Sequence, residues 1–228
     1  MNRVKQMPDQ TKHIISHYDA ALYALRNDVV IMFKLTDRLL ETTLAALLNR
    51  DSGLCQQAIV QEEEIKTLGK KVDREGLSLL VLFHPVATDM RLVVSGMKVG
   101  ANLAHIGDQS AIIARRAQCL NSRPLVTQIE LVEPAHRQAV SIFRDSMRVF
   151  AEGDCELAQA LEPRDEELDK LTTNISVELV SRATLDAENV PSYLDLIFVS
   201  RALKRIGDHA TNIGRDSFWR DQAKDIST

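Results

Sequence analysis

Leu103-Ala104-His105-Ile106-Gly107-Asp108 returns 100 residues later as Leu203-Lys204-Arg205-Ile206-Gly207-Asp208. Over 99–115 and 199–215, seven of seventeen positions are identical: Val99/Val199, Leu103/Leu203, Ile106/Ile206, Gly107/Gly207, Asp108/Asp208, Ile113/Ile213 and Arg115/Arg215. Ordinary residue frequencies would give roughly one match. The chain therefore reads as an internal duplication, and the duplicated element carries an Ile-Gly-Asp that packing alone does not require.

Around this motif, Val99, Leu103, Ile106, Ser110 and Ile113 recur at helical spacing, as do Val199, Leu203, Ile206, Ala210 and Ile213. That periodicity marks the buried stripe of a helix. Asp108 and Asp208 fall on a second stripe. In the later copy it reads Arg201, Lys204, Arg205, Asp208, Asn212 and Arg215. In the earlier copy it reads Ala101, Ala104, His105, Asp108, Ile112 and Arg115. Glycine inside a helix costs about 1 kcal/mol relative to alanine. Gly107 and Gly207 therefore imply a close approach, by a neighbouring helix or by a ligand, metal or partner beside the aspartate. An exposed Asp beside Arg on a helix is ordinarily a solvated pair worth a few tenths of a kcal/mol. Recurrence in register argues for a larger role.

Further out, six helices are predicted, over about 13–49, 54–83, 86–120, 128–151, 155–186 and 193–221. In the first, Leu22, Leu25, Val29, Met32, Thr36, Leu39 and Thr43 follow the spacing of a bundle seam. Asp51-Ser52-Gly53 and Gly153-Asp154 are breaks. His84-Pro85 ends the second helix, because a residue before proline is biased away from helix. Asn121-Ser122-Arg123-Pro124 separates the two halves. Pro134 marks the first turn of the fourth helix, and Pro163 is expected to kink or delay the fifth. At an offset of 103, Asp51, Leu54, Glu63, Glu64 and Leu68 meet Asp154, Leu157, Glu166, Glu167 and Leu171. The expected fold is all-α: two tandem antiparallel three-helix bundles, at 13–120 and 127–222, related by a pseudo-twofold.

Composition agrees. Aromatic residues are 4 % and apolar residues 45 % of 228, which supplies a helical core and little material for a β-sandwich. The net charge of −4 argues against a dedicated nucleic-acid binder. Cys55, Cys119 and Cys155 form no zinc spacing and no disulfide framework, which suits a reducing compartment. Met1–Pro8 has no apolar signal-peptide region. The longest nearly apolar run, Leu77–Phe83, is far short of a membrane span. A cytoplasmic protein is expected, reaching a membrane only through a partner.

Two three-helix repeats, each with Leu-x-x-Ile-Gly-Asp in its third helix, resemble the PhoU family of phosphate-signalling regulators. Leu203–Ile213 is similar to that family's signature run. Pro85–Leu92 resembles its entry to the third helix, and Glu62-Glu63-Glu64-Ile65 and Asp165-Glu166-Glu167-Leu168 resemble its acidic second-helix segments. The resemblance implies a cytoplasmic negative regulator of phosphate uptake and of phosphate-starvation signalling. It implies a helical adaptor between the ATPase of a phosphate ABC importer and a sensor histidine kinase, and a homodimer. Arg91, His105, Arg115, Arg201, Lys204, Arg205, Asn212 and Arg215 are the candidate partner-contact residues.

Family members typically carry an acid four residues before the motif aspartate, and some bind metal ions there. Here those positions are Ala104 and Lys204, and the signature's later acid is Arg215. Asp108 and Asp208 remain the candidate metal ligands, with Glu63, Glu64, Glu166 or Glu167 as helpers. No cofactor is expected to be required. The implied one is a divalent or ferric ion, and the basic neighbours argue that its site is weakened or lost. The same basic groups fit an anion or an acidic partner.

Two other roles are compatible with the residues: a metal-storage or metal-sensing bundle, and a regulator of a sodium–phosphate cotransporter or of polyphosphate metabolism. His13 and His17 stand one helical turn apart without a third ligand. Glu133-Pro134-Ala135-His136 is a single Glu-x-x-His where a di-iron bundle needs two. Nothing supplies an activated nucleophile or a tuned acid–base pair, so an enzyme is not expected.

Overall fold

In the computed structural model, residues 10–226 are described, and over 10–16 only the backbone. His13's side chain and residues 1–8 therefore lie outside what is described. Six long helices follow one another: α1 (Gln10–Leu48), α2 (Ser52–Phe83), α3 (Ala87–Asn121), α4 (Val132–Glu152), α5 (Cys155–Leu185) and α6 (Val190–Gln222). Short 3-10 turns at Thr127–Leu131 and Ala187–Asn189 lead into α4 and α6. No strand occurs among the described residues.

The helix starts are duplicated like the motif. Asp51 accepts hydrogen bonds from the Gly53 and Leu54 amides at 2.8 and 3.0 Å, capping α2. Asp154 accepts from the Leu157 amide at 2.9 Å, capping α5. Such a cap is worth about 1 kcal/mol. The ends are also readable: His84 closes α2 with φ 47°, and Gly153 closes α4 with φ 72°.

The prolines correct two expectations. Pro191 sits in the first turn of α6, so that helix begins at Val190 rather than near Tyr193. A missing N–H costs nothing where no helical acceptor exists. Pro163 does not delay α5, which starts at its Asp154 cap and runs through the proline. Ala158, Leu161 and Leu168 are buried on either side of it while Pro163 faces solvent, so packing carries the helix across the lost hydrogen bond.

Helices α1–α3 form one bundle and α4–α6 the other, and both share one contiguous core. Phe33 of α1 packs on Phe143 and Phe150 of α4, with ring centroids 5.8 and 5.5 Å apart. Arg144 adds ion pairs to Asp37 (2.7 Å) and Glu41 (2.5 Å). The main seam is α3 against α6, antiparallel. Ser95 donates to the Asp216 carbonyl (3.0 Å) at one end, and Arg116 pairs with buried Asp195 (2.9 Å) at the other. The motif segments lie between these ends, so the duplicated aspartates flank the middle of the seam.

Candidate functional site

Each second helix carries a strict seam. In α2, Cys55, Ala58, Glu62, Ile65, Gly69, Val72 and Gly76 alternate three and four apart; in α5, Ala158, Leu161, Asp165, Leu168, Thr172, Ile175 and Leu179 do the same, 103 residues later. An acid therefore occupies one core position in each repeat. Glu62 is 1 % exposed and Asp165 half-buried. Glu63, Glu64, Glu166 and Glu167, the helpers expected from sequence, are exposed instead. Three acids in a row hid which one faces inward. The spacing of Glu62 to Ile65, and of Asp165 to Leu168, was the available signal.

The motif glycines lie against this seam. A Cβ on Gly107 would meet Ile65 Cγ2 at 3.5 Å and Glu62 Cγ at 3.8 Å. A Cβ on Gly207 would stand 2.5 Å from Leu168 Cδ2 and 2.6 Å from Asp165 Oδ1. The close approach implied by the glycines is thus made by the neighbouring helix, including its acidic side chain.

Beside each glycine the motif aspartate meets an ammonium. Lys66 Nζ lies 2.9 Å from Asp108 Oδ1 and 2.6 Å from Glu62 Oε1. Glu62 makes no well-angled hydrogen bond, so the ammonium is its compensation by proximity. In the second repeat Lys204 Nζ lies 3.2 Å from both Asp208 Oδ1 and Asp169 Oδ1. The close carboxylates of Glu62 and then of Asp108 hold Lys66 well above the usual lysine range. For Lys204, burial works against the charge, and hydrogen bonds to Asp169 and Asp208 outweigh it, so its pKa is raised. Burial, then the charge of Asp208, pushes Asp165 up to about 6.

Between the two clusters, His105 of α3 stacks on His209 of α6, with centroids 4.9 Å apart and planes at 22°. His209 Nδ1 donates to Asn102 Oδ1 at 3.0 Å. Burial, then the neighbouring His105, lowers the His209 pKa, and both Asp108 and Asp208 act on it in the opposite direction.

The expected partner residues divide into two groups. Lys204 is engaged as above. Arg215 pairs with Glu162 (2.5 Å) and donates to Asn212 Oδ1 (3.1 Å). Arg91 lies at the start of α3, donating to the Arg220 carbonyl (3.2 Å) and to Thr88 Oγ1 (3.2 Å), which ties α3 to the end of α6. Arg115, Arg201 and Arg205 are exposed and have no ion pair among the described residues. Sequence reading missed Asp195, 3 % exposed and held by Arg116 and Arg123, because its partners come from across the α3–α6 seam.

A cleft of about 490 Å³ lies away from the clusters, among Tyr23, Arg26, Phe150 and Arg220. Among the described residues, no group of three or more His, Cys, Asp and Glu side chains is placed to hold a metal ion. No helix is long and apolar enough to cross a membrane among those residues.

Comparison with known proteins gives one answer. The family description "PhoU domain" matches twice, at residues 29–117 and 132–217. The phosphate-specific transport system accessory protein PhoU homolog of Pseudomonas putida is 32 % identical over 95 % of this chain and 85 % of its own length. The homolog of the same name from Pseudomonas aeruginosa is 30 % identical over 95 % of this chain and 90 % of its own. The crystal structure of PhoU from Pseudomonas aeruginosa superposes with a TM-score of 0.88, covering 91 % of this chain and all of that one at 28 % identity. The phosphate transport system regulatory protein PhoU from Streptococcus pneumoniae, 21 % identical, shares the fold with a TM-score of 0.83 over 92 % of this chain and all of its own.

Proposed function

The chain belongs to the PhoU family, and from that premise we propose that it is a non-enzymatic regulator of phosphate uptake. It acts in the cytoplasm as a helical adaptor between the ATPase of a phosphate ABC importer and a sensor histidine kinase. It keeps the phosphate-starvation response off when phosphate is ample. The observation that carries this reading is the match, over nearly the whole chain, to relatives named as accessory proteins of the phosphate-specific transport system. The exposed guanidiniums of Arg115, Arg201 and Arg205 support it as well, since they offer charge to an acidic partner surface. Recognition by a broad charged helical face needs no catalytic group. A homodimer is part of the same reading.

Deletion of the gene tests the regulatory role. Phosphate-starvation genes are expected to become active in phosphate-rich medium, and continued repression overturns the role. Affinity capture from phosphate-replete cells tests the adaptor. The tagged chain is expected to bring down the importer ATPase or the kinase, and the Arg201→Glu/Arg205→Glu variant to lose it while remaining folded. Capture of neither by the wild-type chain refutes the adaptor.

A further inference from the structure

The two acid clusters are the same construction with the lysine in different corners. Each uses two positions one turn apart on the repeat's second helix and two on its third. In the first repeat these are Glu62, Lys66, Ala104 and Asp108; in the second, Asp165, Asp169, Lys204 and Asp208. The corners correspond at offsets of 103 on the second helix and 100 on the third. Lys66 therefore corresponds to Asp169, and Lys204 to Ala104. No corner carries lysine in both copies, yet both ammoniums lie against the motif aspartate and a second-helix carboxylate. A positive charge against the motif aspartate recurs, while the corner that supplies it and the second-helix acid it meets, Glu62 in one copy and Asp169 in the other, do not.

This placement does not fit a metal ion. A divalent or ferric cation needs several oxygen ligands converging on one point. The first repeat offers two carboxylates, Glu62 and Asp108, with an ammonium against both and the Ala104 methyl at the fourth corner. The second offers more carboxylates, but Lys204 lies within 3.2 Å of two of them. An incoming cation would have to displace a like charge already held by the oxygens it needs.

Glu62 points the same way, whereas its counterpart Asp165 makes no ion pair among the described residues, Lys204 being held by Asp169 and Asp208. A carboxylate in a bundle core is costly unless a positive charge compensates it, and a leucine would pack better at position 62. Gly107 and Gly207 give up helix propensity beside it. The arrangement is intelligible if a cation must sit between the second and third helices, and in this chain the cation is covalently part of the protein.

We infer that Lys66 and Lys204 are built-in replacements for a metal ion, each closing its repeat's acid cluster, so that the fold and the surface around Asp108 and Asp208 are independent of metal supply. Replacing the lysine with an acid turns the cluster into a cation site. The inference holds whichever partner the protein serves, so its test is separate from the capture experiment.

The experiment is equilibrium dialysis of the full chain, stripped with EDTA, against Mn2+, with metal content measured by elemental analysis and folding by circular dichroism. Wild type is expected to take up less than stoichiometric Mn2+ and to keep its melting temperature in EDTA. Lys204→Glu completes four acids with one substitution. It is expected to bind one Mn2+ per chain at least about a hundredfold more tightly than wild type, because ligand charge count sets affinity at oxygen sites. Lys204→Met, which removes the ammonium without adding an oxygen ligand, is expected to fall between them. If Lys204→Glu folds only when Mn2+ is added, that dependence supports the inference. If it fails to fold under any condition, Lys66→Asp with Ala104→Glu decides by the same criteria in the first repeat. Stoichiometric Mn2+ in wild type, lost on Asp108→Asn or Asp208→Asn, overturns the inference. So does a folded Lys204→Glu that binds no more Mn2+ than wild type.

Discussion

We predict that His136 makes the contact between the two repeats sensitive to acid. It is 2 % exposed, neither ring nitrogen has a well-formed hydrogen bond, and it lies where α4 meets α1. Burial lowers its pKa from 6.5 to about 4, and the Leu40 backbone and Glu41 charge recover only part of that. The linkage sign follows from proton counting. Above pH 6.5 the ring is neutral in both states and stability is whole. Between 6.5 and 4 the unfolded chain binds a proton that the native ring refuses, so stability falls; below 4 the loss is complete. The gap of about 2.5 between the two values, at about 1.4 kcal/mol per tenfold, gives about 3 kcal/mol in total and about 2 kcal/mol by pH 5. The assay is urea unfolding of wild type and His136→Leu at pH 7.5 and pH 5. Leucine changes packing at both pH values alike, so only the change in the difference between the two proteins is read. Wild type is expected to lose about 2 kcal/mol more than the variant on acidification. A difference that stays constant within about 0.5 kcal/mol would mean that the native ring takes its proton as readily as the unfolded one, and would refute the reasoning.

The motif glycines predict opposite outcomes. Gly107→Ala meets only ordinary contacts at 3.5 Å and beyond, so helix propensity should raise stability by about 0.5–1 kcal/mol. Gly207→Ala drives a methyl to within 2.6 Å of Leu168 and Asp165, so it should lower stability by about 1–2 kcal/mol; equal shifts in urea midpoint for the two variants would contradict this. Asp165, with its pKa raised to about 6, contributes its full stability below about 3.8 and loses it as pH rises through 6. Asp165→Asn should therefore gain about 1 kcal/mol at pH 8, after discounting for its half-exposed carboxyl, and nothing at pH 4. A gain of the same size at both pH values would exclude charge as the cause. Removing Asp195 leaves Arg116 and Arg123 without their shared carboxylate, so Asp195→Ala should cost about 2–3 kcal/mol in thermal or urea unfolding. A cost below about 0.5 kcal/mol would show that solvent replaces the pair.

What could be read from the sequence followed from local rules. The breaks at Asp51-Ser52-Gly53 and Gly153-Asp154, the His84-Pro85 stop and the stripes through Val99 and Val199 each depend on residues within one turn of one another. Their recurrence at fixed offsets made the bundles visible. Pro163 misled because local propensity was given more weight than the buried residues on both sides of it. Asp195 was invisible for another reason, since its partners lie more than 70 residues away and only the packing of α3 on α6 unites them.

The acid clusters lie between these cases. Asp108 and Asp208 were found because repetition exposes identical residues, whereas Lys66 and Lys204 were not paired because repetition hides a charge that changes corners. Lys204 read alone was a basic intruder on a motif stripe, and Lys66 carried no signal. Only when α2 lies on α3, and α5 on α6, does each ammonium bridge its repeat's second and third helices. Alignment of identities therefore understates the duplication. What recurs is one positive charge held between a seam acid's helix and the aspartate after the glycine, and in the first repeat that charge lies 2.6 Å from Glu62, which is buried without a good hydrogen bond.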